Sequence, residues 1–173
     1  DMLENAIEHT NLVAGSNYLP RRMLLIFAEE YEQDTRNALA ALFNIDRPVA
    51  DRLNEAQAAF DAIIEKRNKR RNERAHSYMG LRSLSVLAAF RHPEEVNPIK
   101  PLQWKEFCSF LDNNFVIPNH TSVGDQYKIY EPYIEALRTF LKKDSQIQEI
   151  HEALIVGLNF EDVEYRWMTQ DVV

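Results

Sequence analysis

The strongest constraint on the fold is an apolar stripe at helical spacing that begins just after Pro48. Its members recur every three or four residues, and they are Val49, Leu53, Ala56, Phe60, Ile63 and Ile64. Proline suits the first turn of a helix, because its missing N–H has no intrahelical partner there. The spacing therefore predicts an amphipathic helix that turns this face into a core.

Helix-forming residues continue beyond this stripe, with no glycine before Gly80 and no proline before Pro93. An unbroken helix over 48–91 would be roughly 66 Å long, which is too long for a domain of this size. We therefore expect a break or kink near 66–74 or at Gly80.

The rest of the chain also has helical periodicity. Helices are expected near Leu3–Ala14, from Pro20 to about Phe43, after Gly80, over about 102–111, from near Pro132, and around Ile147–Leu154. Loops are expected over 44–47, 92–101 and 116–125. The sequence predicts one all-α domain over 1–173. It consists of an antiparallel helical bundle over about 20–91 and a helical C-terminal extension over about 102–173.

Composition narrows the class of protein. The 173 residues are 45% hydrophobic and 27% charged, which is typical of a globular domain rather than a disordered chain. No apolar run is long enough to cross a membrane. A lone cysteine, Cys108, and the lack of a signal-peptide pattern favour a cytoplasmic protein. We expect no metal and no cofactor, because the histidines lack metal-ligand spacing and no glycine-rich phosphate loop is present.

Charge is distributed unevenly along the chain. There are 20 Lys and Arg against 27 Asp and Glu, which gives a net charge of −7. Within 66–74, however, a single acid stands among six basic residues, which are Lys66, Arg67, Lys69, Arg70, Arg71 and Arg74. A basic spot on an acidic body can attract one phosphate without attracting polyanions in general. A solvated helix face or a localisation-type basic run is the alternative.

This basic run also interrupts the apolar stripe. Continued at its own spacing, the stripe passes through Arg67, Arg71, Arg74 or Ala75, Tyr78 and Leu81. Buried arginine is costly unless it is paired. Three explanations are open: a kink that turns the arginines outward, a salt bridge to Glu29 or Glu30 of the neighbouring helix, or a phosphate-binding cleft where the bundle opens.

His76 lies in the same stretch and is a candidate for acid–base chemistry, since imidazole exchanges protons near neutral pH. In a regular helix Asn72 and His76 would share a face, so that Asn72 could orient the imidazole. Arg71 and His76 would lie about 140° apart. A helix break or a second subunit is then needed to bring both to one phosphate. A packed or surface histidine is the alternative.

Residues 71–78 read Arg-Asn-Glu-Arg-Ala-His-Ser-Tyr. This string resembles the signature of the HEPN superfamily, in which Arg, often followed by Asn or another polar residue, is separated from His by four to six intervening residues. With Tyr78 it also fits the Arg-x4-His-x-Tyr form of HEPN toxins that pair with nucleotidyltransferase antitoxins. Arg70 satisfies the spacing too, but Arg71 is preferred because Asn72 follows it directly.

The resemblance extends to the predicted outline of residues 20–91, because the family is an all-α bundle and its motif also follows long helices. A long helical stretch follows the motif in this chain. HEPN proteins of abortive-infection and phage-defence systems are therefore an equally good comparison.

The resemblance implies a metal-independent endoribonuclease that cleaves RNA as a homodimer, with two copies of the motif facing each other. Carried over by position, His76 is the general acid or base, Arg71 holds the scissile phosphate, and Asn72 orients a catalytic group or the phosphate. Further residues for the phosphate or RNA are Arg67, Lys69, Arg70 and Arg74.

The resemblance also implies a role for Tyr78, which corresponds to the position that antitoxin nucleotidyltransferases modify with AMP. A partly buried packing role is the alternative for this residue. An antitoxin or nucleotidyltransferase is thus an expected partner. Two other functions stay open, namely a non-catalytic module that binds a nucleotide or RNA, and a helical protein-interaction domain.

Overall fold

The computed structural model describes residues 19–112, 114–155, 162 and 165–173. Among these residues there are eight helices and no strand, so the fold is all-α as predicted. The helices are α1 (Pro20–Glu30), α2 (Glu32–Leu42), α3 (Val49–Arg71), α4 (Leu81–Arg91), α5 (Pro101–Leu111), α6 (Val123–Leu141), α7 (Ser145–Ile155) and α8 (Arg166–Asp171). The helix expected near Leu3–Ala14 lies outside the described residues.

Among the described helices, α2 and α3 form the most extensive pair. Lys66, near the end of α3, donates a hydrogen bond to Asp34, near the start of α2, with 2.7 Å between Nζ and Oδ2. Because the end of one helix meets the start of the other, the two helices run antiparallel, as their short connection predicts.

The core lies along the apolar stripe of α3. Leu53 and Phe60 have no exposed surface, and Phe60 stacks on Phe27 of α1 with ring centroids 5.8 Å apart. Trp104 of α5 and Tyr127 of α6 belong to the same continuous hydrophobic core. Helices α5 and α6 therefore contribute to the body that carries α3.

The helix predicted from Pro20 to Phe43 is in fact two helices. Tyr31 leaves the helical region at φ −141° and ψ 51°, which ends α1 at Glu30 and starts α2 at Glu32. The break places Glu30 beside the last turns of α3, where its carboxylate bonds to arginines. The prediction of one continuous helix was therefore wrong at this point.

Helix α6 begins well before Pro132, so the predicted start at that proline was wrong and the preceding loop ends at Ser122. The Ser122 hydroxyl accepts a hydrogen bond from the Asp125 N–H at 3.1 Å and donates one to the Asp125 carboxylate at 2.7 Å. This reciprocal cap fixes the helix start. Pro132 is exposed inside the helix, where it removes one backbone hydrogen bond.

A buried polar network holds the C-terminal helix against the body. Arg166 donates to the Asn97 side-chain oxygen at 2.6 Å. The Gln170 side-chain oxygen accepts from the Trp104 indole at 3.0 Å and from the Lys100 N–H at 2.8 Å. Within the part of the chain that is described, no helix is both long and apolar enough to cross a membrane.

Candidate nucleic-acid site at the end of α3

Helix α3 ends inside the basic run, which confirms the predicted break. Asn72 adopts the left-handed conformation (φ 53°, ψ 44°), and its N–H bonds back to the carbonyl of Asn68. Residues 73–79 then run without regular structure to Gly80. Because the helix stops before Asn72, Asn72 and His76 do not share a helical face. Asn72 therefore does not orient the His76 imidazole in the way that a continuous helix would allow.

Hydrogen bonds from side chains of α3 hold the segment 73–79 in place. The Asn68 amide donates to the Ala75 carbonyl at 2.9 Å, and its oxygen accepts from the Ala75 N–H at 3.0 Å. The Ser77 hydroxyl donates to the Asp61 carboxylate at 2.7 Å. Sequence reasoning missed Asn68 and Asp61, since their contacts depend on where α3 ends.

Three arginines of the basic run are paired with carboxylates. Arg71 donates to Glu30, with 2.6 Å between Nη2 and Oε1, and Arg70 donates to the other oxygen of the same carboxylate. Arg67 is only 10% exposed, lies 3.8 Å from Glu30 and donates to Glu73 at 2.5 Å. We call these five side chains the arginine cluster. The salt bridge to Glu30, one of the three explanations from sequence, is therefore present.

The surface around the arginine cluster keeps an excess of positive charge, because three guanidinium groups share two carboxylates. The Arg70 guanidinium also lies over the ring of Tyr31, 5.2 Å from its centroid. Lys69 and Arg74 are exposed, and neither forms an ion pair with any described residue. The basic run thus presents an anion-attracting surface as well as a set of ion pairs in which Arg67 and Glu30 are largely covered.

His76 is exposed on the segment 73–79. Its ring meets the ring of Tyr78 edge-on, with centroids 6.2 Å apart and an interplanar angle of 82°. No described residue forms a hydrogen bond to its imidazole or to the side chain of Asn72, and none joins His76 to Arg71. The imidazole is therefore accessible to a substrate, and Arg71, whose side chain is 44% exposed, is also at the surface.

Tyr78 has a left-handed backbone with φ 59°, which is uncommon for a bulky side chain and costs about 1–3 kcal/mol. Its carbonyl accepts a hydrogen bond from the Ser83 hydroxyl at 2.7 Å. The Tyr78 side chain is partly buried, packs against the core and lines a cavity at the start of α4. Tyr78 is thus both a packing residue and a residue with an open space beside it.

Among the described residues, no group of three or more His, Cys, Asp or Glu is arranged to hold a metal ion. No family model, curated protein or solved structure matches the chain. The interpretation of the site therefore depends on its own geometry and on the pattern of residues 71–78.

Proposed function

We propose that this chain is an endoribonuclease that cleaves RNA at a phosphate bound by Arg71, with His76 as general acid or base. The observation that carries the proposal is the exposed imidazole of His76 on a segment fixed by Asn68 and Asp61, beside a surface with excess arginine. The similarity of residues 71–78 to the HEPN signature supports the same chemistry.

RNA supplies its own nucleophile for this reaction. The ribose 2′-hydroxyl attacks the adjacent phosphorus, so that the O2′–P bond forms as the P–O5′ bond breaks. The products are a 2′,3′-cyclic phosphate and a 5′-hydroxyl. His76 takes the hydroxyl proton, and the departing O5′ gains a proton from the resulting imidazolium or from water. Arg71 binds the non-bridging oxygens and stabilises their growing charge, which needs no metal ion.

A homodimer completes the site in this proposal. Arg71 is bonded to Glu30, and no hydrogen bond joins Arg71 to His76 within one chain. If two copies face each other, Arg71 of one protomer and the partner's His76 meet at one phosphate. Lys69, Arg70 and Arg74 then lie along the flanking RNA backbone. A toxin or phage-defence role and an antitoxin or nucleotidyltransferase partner belong to the same proposal through the family resemblance. A cytoplasmic location belongs to it through the lone cysteine, Cys108.

The proposal is tested by incubating RNA with the wild type, Arg71→Ala and His76→Ala in the presence of EDTA. We expect each substitution to slow cleavage by about 100-fold or more. Arg36→Ala, at an exposed arginine paired with Glu32, and His120→Ala, at an exposed loop histidine, are matched controls that should cleave normally. Equal cleavage by all variants, or none by the wild type, contradicts the proposal.

The ion pairs of the arginine cluster favour a second candidate, a non-catalytic module that binds RNA or a nucleotide. Glu30 bonds to both Arg70 and Arg71, which gives these arginines a role in joining α1 to α3. In this case RNA binds without turnover. Charge reversal by Arg70→Glu and Arg71→Glu then weakens binding, whereas His76→Ala has no effect.

A further inference from the structure

A cavity of about 460 Å³ lies beside Tyr78. The rest of its wall is formed by Gly80 and by the first residues of α4 and α5, namely Leu81, Arg82, Pro101, Leu102 and Gln103. Its volume is within the range of pockets that bind small ligands, about 300–1,000 Å³. None of the arginine cluster lines it, so the cavity is a separate feature of the surface.

Tyr78 connects the cavity to the candidate catalytic histidine, because it contacts both. Tyr78 lines the cavity, and its ring also packs edge-on against His76, 6.2 Å away between centroids. A nucleotide whose ribose lies at His76 therefore has an open cavity one side chain away. The backbone of Tyr78 is held in its left-handed conformation with the help of the Ser83 hydroxyl, which fixes this wall.

The chemistry of the lining fits a nucleobase. Most of the wall is apolar, and the ring of Tyr78 offers a flat face on which a base can stack. Leu102, which also lines the cavity, is 65% exposed, so a bound base would cover apolar surface that water now contacts. The amide of Gln103 and the guanidinium of Arg82 supply hydrogen-bonding groups of the kind that read base edges.

We propose that this cavity binds the base of the RNA nucleotide that carries the scissile phosphate. The base stacks on Tyr78, and Gln103 and Arg82 contact its edge. This inference rests on the proposed function for its ligand class. It makes a separate statement about binding, because the cavity contains neither Arg71 nor His76.

Gly80 allows the cavity to be blocked without changing the fold. Its φ of −94° suits any residue, and a Cβ built on it meets no atom within 4 Å. Gly80→Leu therefore places a side chain in open space at the cavity wall. Phe110→Ala is the control, since Phe110 is 84% exposed on α5 and does not line the cavity.

The experiment titrates the full chain with the four nucleoside 3′-monophosphates and with inorganic phosphate, using calorimetry. RNA cleavage after each of the four bases is measured in parallel. We expect at least one nucleotide to bind more tightly than inorganic phosphate. Gly80→Leu and Tyr78→Ala should weaken its binding by about tenfold or more, and Phe110→Ala should leave it unchanged. Gln103→Ala is an alternative to Tyr78→Ala if thermal unfolding shows that the latter does not fold.

The outcomes separate this inference from the proposed function. One outcome is that nucleotides bind, that Gly80→Leu abolishes this binding, and that the wild type does not cleave RNA. The base site then stands, and the ribonuclease proposal fails. If the wild type cleaves RNA and Gly80→Leu changes neither the rate nor the base preference, the base site is wrong and the ribonuclease proposal stands. Nucleotide binding no tighter than that of inorganic phosphate also overturns the base site.

Discussion

Nη2 of Arg71 lies 2.6 Å from Oε1 of Glu30, so the arginine proposed to hold a phosphate already bonds to a carboxylate. The same carboxylate accepts a bond from Arg70 and lies 3.8 Å from Nε of Arg67. Carboxylate and phosphate oxygens compete for the same guanidinium N–H groups. Glu30 therefore influences both the stability of the site and its affinity for an anion.

Replacing Glu30 with glutamine should separate these two effects. Glu30→Gln leaves Arg67, which is only 10% exposed, with Glu73 as its remaining acidic partner, and we expect the free energy of unfolding to fall by about 1–3 kcal/mol. RNA should bind more tightly to the same variant, because Arg70 and Arg71 lose a competing anion. Urea denaturation and RNA titration at low salt measure the two changes.

Glu29→Gln is the matched control for this substitution. Glu29 is exposed on the adjacent position of α1 and forms no ion pair with the described residues, so neither stability nor RNA affinity should change. Weaker RNA binding in Glu30→Gln than in Glu29→Gln would contradict the assignment of Glu30 as a competitor of phosphate.

Asn68→Ala tests whether the segment 73–79 must be fixed for activity. The substitution removes both hydrogen bonds to the backbone of Ala75, and we expect a loss of about 1–3 kcal/mol in stability. Amide exchange at Ala75 should accelerate, and RNA cleavage should fall although His76 is retained. Asn68→Asp keeps the acceptor for the Ala75 N–H and should give an intermediate result. If Asn68→Ala changed neither amide exchange at Ala75 nor RNA cleavage, the hydrogen bonds of Asn68 would be unnecessary for fixing the segment and for activity.

At Gly124, helix α6 comes close to helix α3. A Cβ at this position would lie 2.1 Å from the carbonyl oxygen of Ala50, and the Gly124 N–H donates to Asn54 at 2.7 Å. Gly124→Ala should therefore force the two helices apart and cost about 3 kcal/mol. Gly80→Ala, which meets no atom, should leave the melting temperature unchanged. Equal melting temperatures for the two variants would contradict this close packing.

Two buried tyrosines should make the protein less stable at alkaline pH. Burial raises the pKa of Tyr127 to about 12, against the opposing hydrogen bond that its oxygen accepts from the Asn97 N–H at 3.0 Å. Burial also raises the pKa of Tyr130 to about 12, and the hydroxyl of Tyr130 donates to the Pro101 carbonyl at 3.0 Å. In the unfolded chain these phenols ionise near pH 10.

The unfolded state therefore releases these two protons first. The free energy of unfolding should fall as pH rises from about 10 to about 12, and these groups should contribute no pH dependence below that range. Urea titrations at a series of pH values measure the slope, and ultraviolet absorbance follows the phenolates. Ionisation of every tyrosine near pH 10 in the folded protein would contradict the burial of these two side chains.

Local periodicity was sufficient to predict the fold class and the main features of α3. The spacing of Leu53 and Phe60 identified the buried face, and the length of the helical run indicated a break. The start of α6 was misplaced because Pro132 was given more weight than the Ser122-x-x-Asp125 cap, which is also visible in the sequence. The break at Tyr31 has no comparable local signal.

The candidate site was only partly predictable. Residues 71–78 could be selected from their chemistry, and Glu30 was among the acids named as possible partners of the arginines. The bonds of Asn68 to Ala75 could not be foreseen, because they form only when α3 ends at Arg71. The cavity beside Tyr78 could not be predicted from the sequence either, since it forms only when tertiary packing brings the start of α5 next to Tyr78.

Complementation between two inactive variants tests the central claim most directly. Arg71→Ala and His76→Ala are unfolded together, refolded as a mixture and assayed for RNA cleavage with EDTA present. If Arg71 of one protomer acts with the partner's His76, each mixed dimer contains one intact site, and the mixture should regain about a quarter of wild-type activity by random pairing. A mixture as inactive as either variant alone, under conditions where the wild type cleaves RNA, would contradict the shared site.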